Sequence, residues 1–425
     1  MSAANPRGIA WQLLNRWETK PTAADELLES EPGLGALDAR DRRLAQELFF
    51  GCIRRKATLD WIIAVGLKQR EQRIDTQNLL RLALYQLFFL EKIPAHALVN
   101  ETVSLAKGGK SFLNAVLRRA CAEEPRLREA LVSIVRTDPF CYYSVPEWLW
   151  RRWIERYGEA DARALGEWNN TPPPLVIRIN TLKTTRDRLM NEMQRAKLDI
   201  EPSATHPLVA RLKNAGNIAT LGAFERGEFY VQDESTLAAV DALAPCPEER
   251  IADLCAAPGG KTSYIAALMQ NRGRLIACDE SENRLKLVAE NCARLGVNIV
   301  ATLCGDARTM ADELEERSFD GVLVDAPCTN TGVLRRRVDA RWRLREKDIA
   351  RLAAAQLGLC LAGAKLVKRG GRFVYSTCSL EPEENVGVME KFLAQERAFT
   401  LEKSCEMFPP RQQTDGGYWA LLRKT

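Results

Sequence analysis

The sequence predicts a multidomain protein with an all-α amino-terminal domain, a small α+β module and a carboxyl-terminal α/β domain of the Rossmann-like kind. Three observations support this. Apolar residues near the amino terminus follow helical spacing, a stretch after a triple proline alternates as a strand does, and from about Phe229 short apolar strands alternate with Gly-rich turns and helices. We place the domains at residues 1–140, 141–228 and 229–425; a chain of 425 residues has room for roughly two to four domains.

The amino-terminal domain, residues 1–140, is expected to be helical throughout. Residues 79–90 form a dense apolar segment rich in leucine, and later helices stop at Gly-Gly or begin after proline. The basic residues Lys110, Arg118 and Arg119 belong to one of the later helices. They either contact nucleic-acid phosphates or form an ordinary solvated helix face, and charge alone does not decide between the two.

The middle module, residues 141–228, combines an aromatic segment with a strand. Trp148, Trp150 and Trp153 precede Thr171-Pro-Pro-Pro, a stiff junction that cannot continue a helix. The alternating residues that follow predict a strand in a small α+β, RRM-like fold. We expect the tryptophans to pack in a core rather than to stack on bases.

Composition excludes several kinds of chemistry. The chain has twelve cysteines without Cys-x-x-Cys spacing and only two histidines, so neither a cysteine-based metal site nor a Ser-His-Asp triad is expected. The longest uncharged stretch has 13 residues, fewer than the roughly 18–20 that span a bilayer, and the first residues lack a secretory pattern. We therefore expect a cytoplasmic protein with no metal and no membrane contact, in which any nucleophile is a cysteine.

The carboxyl-terminal domain contains five strands separated by helices, which predicts a parallel, doubly wound sheet. The predicted strands are Ile251–Cys255, Arg274–Asp279, Val300–Cys304, Gly321–Asp325 and Arg372–Ser376. Ligands of such sheets bind beyond the carboxyl ends of the strands. Asp279, Asp306 and Asp325 lie at or just after those ends, so they are candidate ligand contacts.

The turn after the first of these strands favours a cofactor site. It reads Cys255-Ala-Ala-Pro-Gly-Gly-Lys-Thr, and its small residues let the backbone approach a ligand closely. It is too short for a phosphate-binding loop and lacks Gly-x-Gly-x-x-Gly. Asp279 can accept hydrogen bonds from ribose hydroxyls, although a helix cap would also explain it. With Gly305-Asp306, these features fit a nucleoside cofactor without pyrophosphate, namely S-adenosylmethionine.

Two cysteines follow the last two predicted strands. Cys328 lies in Asp325-Ala-Pro-Cys and Cys378 in Tyr375-Ser-Thr-Cys-Ser, both on the ligand side of the sheet. A single free cysteine there is often core filler. Two beside Asp325 favour a nucleophilic site instead.

Three long motifs resemble those of the 5-methylcytosine RNA methyltransferases. They are Asp253-Leu-Cys-Ala-Ala-Pro-Gly-Gly-Lys-Thr262, Asp325-Ala-Pro-Cys-Thr-Asn-Thr-Gly332 and Tyr375-Ser-Thr-Cys-Ser-Leu-Glu-Pro-Glu-Glu-Asn385. Near the amino terminus, Asn100-Glu-Thr-Val-Ser-Leu-Ala-Lys and Phe112-Leu-Asn-Ala-Val-Leu-Arg-Arg119 resemble the NusB-like RNA-binding domain. The pairing is similar to family members that act on bacterial 16S rRNA, and the likeness covers nearly the whole chain.

The resemblance implies specific roles for site residues. Cytosine C5 is a poor nucleophile until a thiolate adds at C6, and by similarity Cys378 makes that bond while Cys328 assists product release. Asp325 suits hydrogen bonding or protonation at N3. Lys261 or a helix dipole could give the nucleophile its thiolate character. The implied contacts of S-adenosylmethionine and its surroundings are Cys255, Ala256, Ala257, Pro258, Gly259, Gly260, Lys261, Asp279, Asp306 and Asp325, and more weakly Arg284.

A basic segment follows the fourth-strand motif. Residues 335–351 contain eight basic and three acidic positions, and beside the cysteines this segment is expected to contact RNA phosphates. Trp342 within it could stack on a base or simply pack. Arg337-Val338 stands where the family carries His-Pro before the aspartate matched by Asp339.

The sequence therefore predicts S-adenosylmethionine-dependent methylation of cytosine C5 in unassembled 16S rRNA by a monomeric enzyme. Three alternatives stay open. The substrate could be tRNA; the protein could be an RNA-binding ribosome assembly factor with an idle methyltransferase fold; or it could methylate DNA, using the cysteine after Pro327 as nucleophile.

Overall fold

The computed structural model describes residues 5–20, 22–90, 93–213, 216, 218–310, 314 and 318–425. The chain divides into two compact units. The first contains the chain up to Pro172 together with Leu334–Arg343, and the second contains Pro173–Val333 and Leu344–Thr425.

The first unit is helical over its described residues, as the sequence predicts. Asn5 and Asp38 accept hydrogen bonds from the first backbone N–H groups of two helices, the usual role of an N-cap. Ten helices run up to Asn170: α1 Pro6–Thr19, α2 Ala24–Glu29, α3 Ala39–Arg54, α4 Lys56–Trp61, α5 Ile74–Phe89, α6 Ala95–Leu105, α7 Lys110–Ala122, α8 Glu124–Thr137, α9 Pro139–Tyr142 and α10 Glu147–Asn170. The apolar segment forms α5, whose leucines are buried on several sides, so α5 is the central helix of this unit.

The tryptophan segment forms part of α10 and packs inside the first unit. Trp150 and Trp153 are buried, and the ring of Trp150 stacks on Tyr143 with 5.1 Å between centroids. The expectation of core packing is correct for these two residues.

The segment Leu334–Arg343 joins the first unit, although the chain on either side of it belongs to the second. Arg341 is fully buried, and its guanidinium donates to the backbone carbonyls of Ser144 at 3.0 Å and Asn169 at 2.9 Å. Burial lowers the pKa of Arg341 to about 9. The indole N–H of Trp342 donates to the carbonyl of Ile53 at 2.8 Å, so Trp342 packs within the protein.

These contacts correct the prediction for the basic segment. Arg335 is also buried, and its guanidinium lies 3.9 Å from the centroid of the Trp168 ring. The prediction that the segment contacts RNA phosphates is therefore wrong for Arg335 and Arg341. Arg337 is exposed and pairs with Asp25 at 3.5 Å.

The second unit begins with a small antiparallel sheet. Its elements are β1 Leu175–Ile179, α11 Arg186–Arg195, β2 Asp199–Pro202, β3 Val209–Lys213, α12 Gly222–Glu225 and β4 Phe229–Val231. The strand order β2-β3-β1-β4 with one helix in each crossover is the ferredoxin-like arrangement, which confirms the predicted α+β module. The boundaries at residues 140 and 228 stay predictions.

A mixed sheet of seven strands forms the rest of this unit. The strands are β5 Arg250–Asp253, β6 Arg274–Asp279, β7 Val300–Cys304, β8 Phe319–Asp325, β9 Val367–Thr377, β10 Phe399–Met407 and β11 Gly417–Lys424, in the order β10-β11-β9-β8-β5-β6-β7. The remaining helices are α13 Ala238–Leu243, α14 Gly260–Leu268, α15 Glu282–Leu295, α16 Ala307–Met310, α17 Ala340–Arg343 in the first unit, α18 Glu346–Leu366, α19 Val386–Gln395 and α20 Pro409–Gln412. All five predicted strands are present and parallel.

Helices cover both faces of the sheet. Val322 and Val324 of β8 face a core that includes residues of α18 and α19, whereas Leu323 faces a core that includes residues of α13 and α14. This alternation confirms the doubly wound arrangement. The antiparallel strands β10 and β11 were not predicted. Most side chains of β10 are exposed, so this edge strand has no apolar run that would mark it in the sequence.

One helix, α18, is long and apolar enough to cross a membrane by length and composition alone. Half of its apolar stretch is buried inside the protein, and the helix packs on β8 and β9. That is the position of a core helix.

Replacing Arg341 tests the structural role of the buried segment. Arg341→Met leaves several buried carbonyls without a donor, so we expect a loss of about 3 kcal/mol in the free energy of unfolding, visible as a lower Tm. The control Arg337→Met removes only an exposed ion pair, which contributes at most about 1 kcal/mol. Equal stability of the two variants would contradict the role assigned to Arg341.

Candidate active site

The two candidate catalytic cysteines meet at the carboxyl ends of β8 and β9. These strands are parallel neighbours with Asp325 opposite Ser376, and each cysteine follows closely after its strand. The Sγ atoms of Cys328 and Cys378 lie 3.2 Å apart, although the residues are 50 positions apart in the chain. Both side chains are partly exposed. The hydroxyl of Ser376 donates to Oδ1 of Asp325 at 2.7 Å, which fixes the carboxylate beside the thiols.

Lys261 brings a positive charge to the same site. Lys261 lies at the start of α14, and its Nζ is 2.6 Å from Oδ2 of Asp325. Burial by itself would lower the pKa of Lys261, but the Asp325 carboxylate raises it above its usual value, so the ammonium stays charged. Lys261 also interacts electrostatically with Cys378, which supports Lys261 as a source of thiolate character there.

The two thiols are not equivalent. The hydrogen bond with Cys378, together with burial, raises the pKa of the Cys328 thiol well above its usual value. Cys328 therefore keeps its proton and can donate it toward the sulfur of Cys378. Asn330 donates to the carbonyl of Cys328 at 2.9 Å, and its Oδ1 lies 3.1 Å from the sulfur of Cys378.

The turn after β5 brings its backbone to the same edge of the sheet. Gly259 has φ of +98°, and a Cβ there would lie 3.2 Å from the backbone of Val288. A Cβ on Gly260 would lie 3.0 Å from the ring of Tyr230. The positive φ favours glycine at position 259, and at position 260 glycine allows close packing against Tyr230. Cys255 in the same turn is largely buried, and burial raises the pKa of its thiol well above the usual value.

Two strand-end aspartates lie beside this turn. Asp279 is buried at the end of β6, accepts from the N–H of Ala257 at 3.3 Å and pairs with Arg284, which also donates to the carbonyl of Ala257. Asp306 pairs with Arg308 at 2.6 Å, and the hydrogen bond from Arg308 lowers the pKa of the Asp306 carboxyl. A buried acceptor beside small-residue backbone fits the ribose of a nucleoside cofactor.

A buried arginine connects the small sheet to this turn. Arg178 of β1 is fully buried and donates to the carbonyl of Gly260 at 2.7 Å and to the hydroxyl of Ser263 at 2.8 Å. The small module therefore supports the start of α14. The sequence analysis did not identify Arg178, because its role depends on residues about 80 positions away.

Two buried carboxylates of the site were also missed, although both lie in the quoted motifs. Asp253 ends β5. Burial raises its pKa to about 7, although a hydrogen bond from Thr262 acts to lower it. Glu384 is fully buried, and burial raises its pKa despite hydrogen bonds from Ser379 and Thr329. Both residues could have been recognised as candidates in the sequence, because they lie inside those motifs. Among the described residues, no cluster of three or more histidine, cysteine or acidic side chains could hold a metal ion.

The fold and site define a class of protein: a Rossmann-like, S-adenosylmethionine-dependent methyltransferase that carries a NusB-type helical domain. Three family models match the chain: the NusB family at residues 4–122, the RsmF/B-like ferredoxin-like domain at 145–219, and the 16S rRNA methyltransferase RsmB/F model at 240–423. The chain is 35% identical to ribosomal RNA small subunit methyltransferase B of Citrobacter koseri over 100% of both chains, and 36% identical to that of Serratia proteamaculans over 91% of both.

Solved structures agree with these matches. The crystal structure of the protein PH0851 has a TM-score of 0.80 at 27% identity and covers 99% of each chain. NSun6 from Pyrococcus horikoshii, solved with the S-adenosylmethionine analogue SFG, has a TM-score of 0.60 at 26% identity and covers 66% of this chain and 98% of its own. The chain belongs to the RsmB family of S-adenosylmethionine-dependent ribosomal RNA small subunit methyltransferases.

The raised pKa of Asp253 makes stability depend on pH. Because the folded pKa of about 7 lies above the unfolded value of 3.8, the folded state binds the extra proton between these values; stability is therefore lost as the pH rises from about 4 through 7 and levels off above. Asp253→Asn removes this dependence. Relative to wild type, the variant should gain about 1 kcal/mol between pH 6 and pH 8.

Scanning calorimetry at pH 6, 7 and 8 measures this difference. The control Asp306→Asn replaces a carboxyl whose pKa is lowered, so its offset from wild type should stay constant over the same range. A constant offset for Asp253→Asn as well would contradict a folded pKa of about 7 for Asp253.

Proposed function

We propose that this chain methylates cytosine C5 in 16S rRNA through a covalent bond between Cys378 and cytosine C6. One observation carries the proposal: two inequivalent thiols lie 3.2 Å apart beside the Lys261–Asp325 ion pair, at the ligand edge of a methyltransferase sheet. A nucleophile, a second thiol and an N3 partner are what methylation at C5 requires.

Cys378 acts first in this mechanism. Its thiolate adds to C6, forming an S–C6 bond while the electron pair of the C5–C6 double bond moves onto C5 and the ring. Lys261 favours the thiolate through its positive charge, and Cys328 supports it by donating a hydrogen bond. S-adenosylmethionine, when bound, supplies the methyl group that C5 then accepts.

Asp325 acts at N3 of the base. As negative charge develops on the ring during addition, N3 takes up a proton from solvent, and the N3–H group then donates to the ionised Asp325 carboxylate, which stabilises the protonated ring. Ser376 and Lys261 hold one carboxylate oxygen each, at 2.7 Å and 2.6 Å, so the group is oriented before the base arrives.

The last step reverses the addition. A base removes the C5 proton, the electron pair of the C5–H bond restores the C5–C6 double bond, and Cys378 leaves as a thiolate. We assign Cys328 to this release step. Its raised pKa keeps it protonated and supports its use as a hydrogen-bond donor to the departing thiolate.

We infer that the cofactor binds along the turn from Cys255 to Lys261, with Asp279, Asp306 and Asp325 around it. The turn is built of the small residues Ala256, Ala257, Pro258, Gly259 and Gly260, of which Pro258 is exposed and Ala257 and Gly260 are half-buried, and Asp279 is suited to the ribose hydroxyls. Lys261 has its ion pair with Asp325, so we assign it to the catalytic side of the site.

We also propose that a monomer acts on 16S rRNA before the RNA is assembled into the small subunit. C6 of a stacked cytosine is inaccessible, so the target must lie in a single strand or flip out of its stack. Single-stranded cytosines and cytosines that can flip out are more accessible in unassembled RNA than in a finished subunit.

Methyl transfer to different nucleic acids tests the substrate class. We expect tritium from labelled S-adenosylmethionine to enter unmodified 16S rRNA, and neither tRNA nor DNA. Cys378→Ala should lower incorporation by at least about 1,000-fold, because no group is left to activate C5. Measurable cofactor binding without transfer to any of the three would favour the idle assembly factor.

Trapping on 5-fluorocytosine RNA tests the nucleophile. Fluorine at C5 cannot leave as a proton does, so the covalent adduct persists and its peptide can be mapped by mass spectrometry. We expect the adduct on Cys378, in wild type and in Cys328→Ala. An adduct on Cys328 would contradict the assignment and favour DNA-type chemistry.

Cofactor binding by Asp279 can be measured without RNA. Asp279→Asn loses one charged hydrogen-bond acceptor, so the Kd for S-adenosylmethionine should rise about tenfold or more in calorimetric titration. The adjacent exposed residue provides the matched control: Glu280→Gln should leave the Kd unchanged. An unchanged Kd for Asp279→Asn would place the ribose elsewhere.

A further inference from the structure

The carboxylate of Glu384 lies behind the two cysteines and contacts the segments that carry both. It is fully buried and accepts hydrogen bonds from four donors. Oε1 accepts from the backbone N–H of Thr329 at 3.0 Å and from Nε2 of Gln356 at 2.9 Å. Oε2 accepts from the hydroxyls of Thr329 and Ser379. Four donors match the roughly four lone-pair sites of a carboxylate.

These partners are the direct neighbours of the two cysteines. Thr329 follows Cys328, and Ser379 follows Cys378. Gln356 extends the network from α18, since its Nε2 also donates to the carbonyl of Pro327 at 2.9 Å. One buried carboxylate therefore joins two loops and a helix that are distant in the chain.

We propose that Glu384 is a positioning residue that holds the Cys328 loop against Cys378, so that both sulfur atoms reach one cytosine. The inference rests on the proposed function and adds a residue to it. Glu384 hydrogen-bonds the residues that follow each cysteine, so it positions other residues rather than touching the base.

The Cys328 side depends on Glu384 more than the Cys378 side does. Cys378 directly follows β9, and Asn385 holds the residues on either side of it: the amide accepts from the hydroxyl of Thr377 at 2.6 Å and donates to the carbonyl of Ser379 at 2.9 Å. Cys328 lies three residues beyond β8, and the next residue, Thr329, gives both its N–H and its hydroxyl to Glu384. Loss of Glu384 should therefore impair the step that uses Cys328, which is product release, more than adduct formation by Cys378.

Glu384→Ala and Glu384→Gln separate positioning from proton transfer. In Glu384→Gln the amide oxygen can keep the two N–H donors, while the hydroxyls of Thr329 and Ser379 rotate to accept from the amide nitrogen. The amide should thus restore most of the activity that alanine removes. Glu383→Gln, at an exposed neighbouring position of the same short helix, is the matched control.

The first measurement tests, without RNA, whether the thiols of Cys328 and Cys378 stay close together. Phenylarsine oxide bridges two adjacent thiols: two As–S bonds replace the As=O bond, and the thiol protons leave with the oxygen as water. We expect similar affinities for phenylarsine oxide in wild type, Glu384→Gln and Glu383→Gln. Glu384→Ala should bind it at least about tenfold more weakly. Cys328→Ala measures the background binding by the other cysteines.

The second measurement uses unmodified 16S rRNA. Because a displacement of about 1 Å can cost on the order of 100-fold in rate, Glu384→Ala should lower kcat by about 10- to 100-fold with little change in the KM for S-adenosylmethionine. The variant should also accumulate protein–RNA adduct. In a Cys328→Ala background the same change should have no further effect on release, which a general loss of stability would not produce.

Distinct outcomes would overturn the proposal. If Glu384→Ala binds the arsenical as tightly as wild type does, the proposal is wrong, whether or not the chain methylates cytosine. If Glu384→Gln is as inactive as Glu384→Ala, the role of Glu384 is proton transfer and not positioning. Normal arsenical behaviour with no RNA methylation by wild type would instead reject the proposed function alone.

If Glu384→Ala does not fold, Thr329→Val removes one hydroxyl from the network and should weaken arsenical binding about threefold; unchanged binding would overturn the proposal.

Discussion

The parallel pairing of β8 with β9 is the constraint on which the site depends. With Asp325 opposite Ser376, the chain leaves both strands at the same edge, and two cysteines 50 residues apart come to lie 3.2 Å from each other. A slip of one residue would turn the side chains of either strand to the opposite face of the sheet. The buried residues of both faces prevent such a slip, so the hydrophobic core of the second unit also determines the geometry of its chemistry.

The edge of the sheet collects ionisable groups in surroundings of low polarity. Asp325 and Lys261 stabilise each other as an ion pair, and burial raises the pKa values of Asp253 and Glu384. The pKa of Cys328 is raised by its hydrogen bond with Cys378 together with burial. Such perturbed groups are costly for folding and cluster at functional sites. Here the inequality of the two thiols follows from their direct contact: the proton that one thiol keeps is available to stabilise the charge of the other.

Arginine has an unusual structural role in this protein. Arg341 in the first unit and Arg178 in the second are fully buried and donate to backbone carbonyls; those that Arg341 contacts include Asn169 near the end of α10, where carbonyls lack partners within the helix. Counting basic residues along residues 335–351 predicted an RNA contact, but a count cannot distinguish a solvated guanidinium from one that satisfies buried carbonyls. The distinction depends on partners in other parts of the chain, such as Ser144 and Asn169.

The sequence by itself determined the fold class, the five parallel strands, the small-residue turn after the first of them and the placement of the two cysteines at strand ends, because each of these is a local pattern: strand periodicity, a run of small residues, or a motif at a strand end. Only the tertiary structure decided the exposed edge strand β10, the burial of Arg341 and the network around Glu384. An edge strand needs no apolar run when one face is solvated, and a buried polar residue is defined by donors and acceptors that the fold, not the local sequence, brings within hydrogen-bond distance.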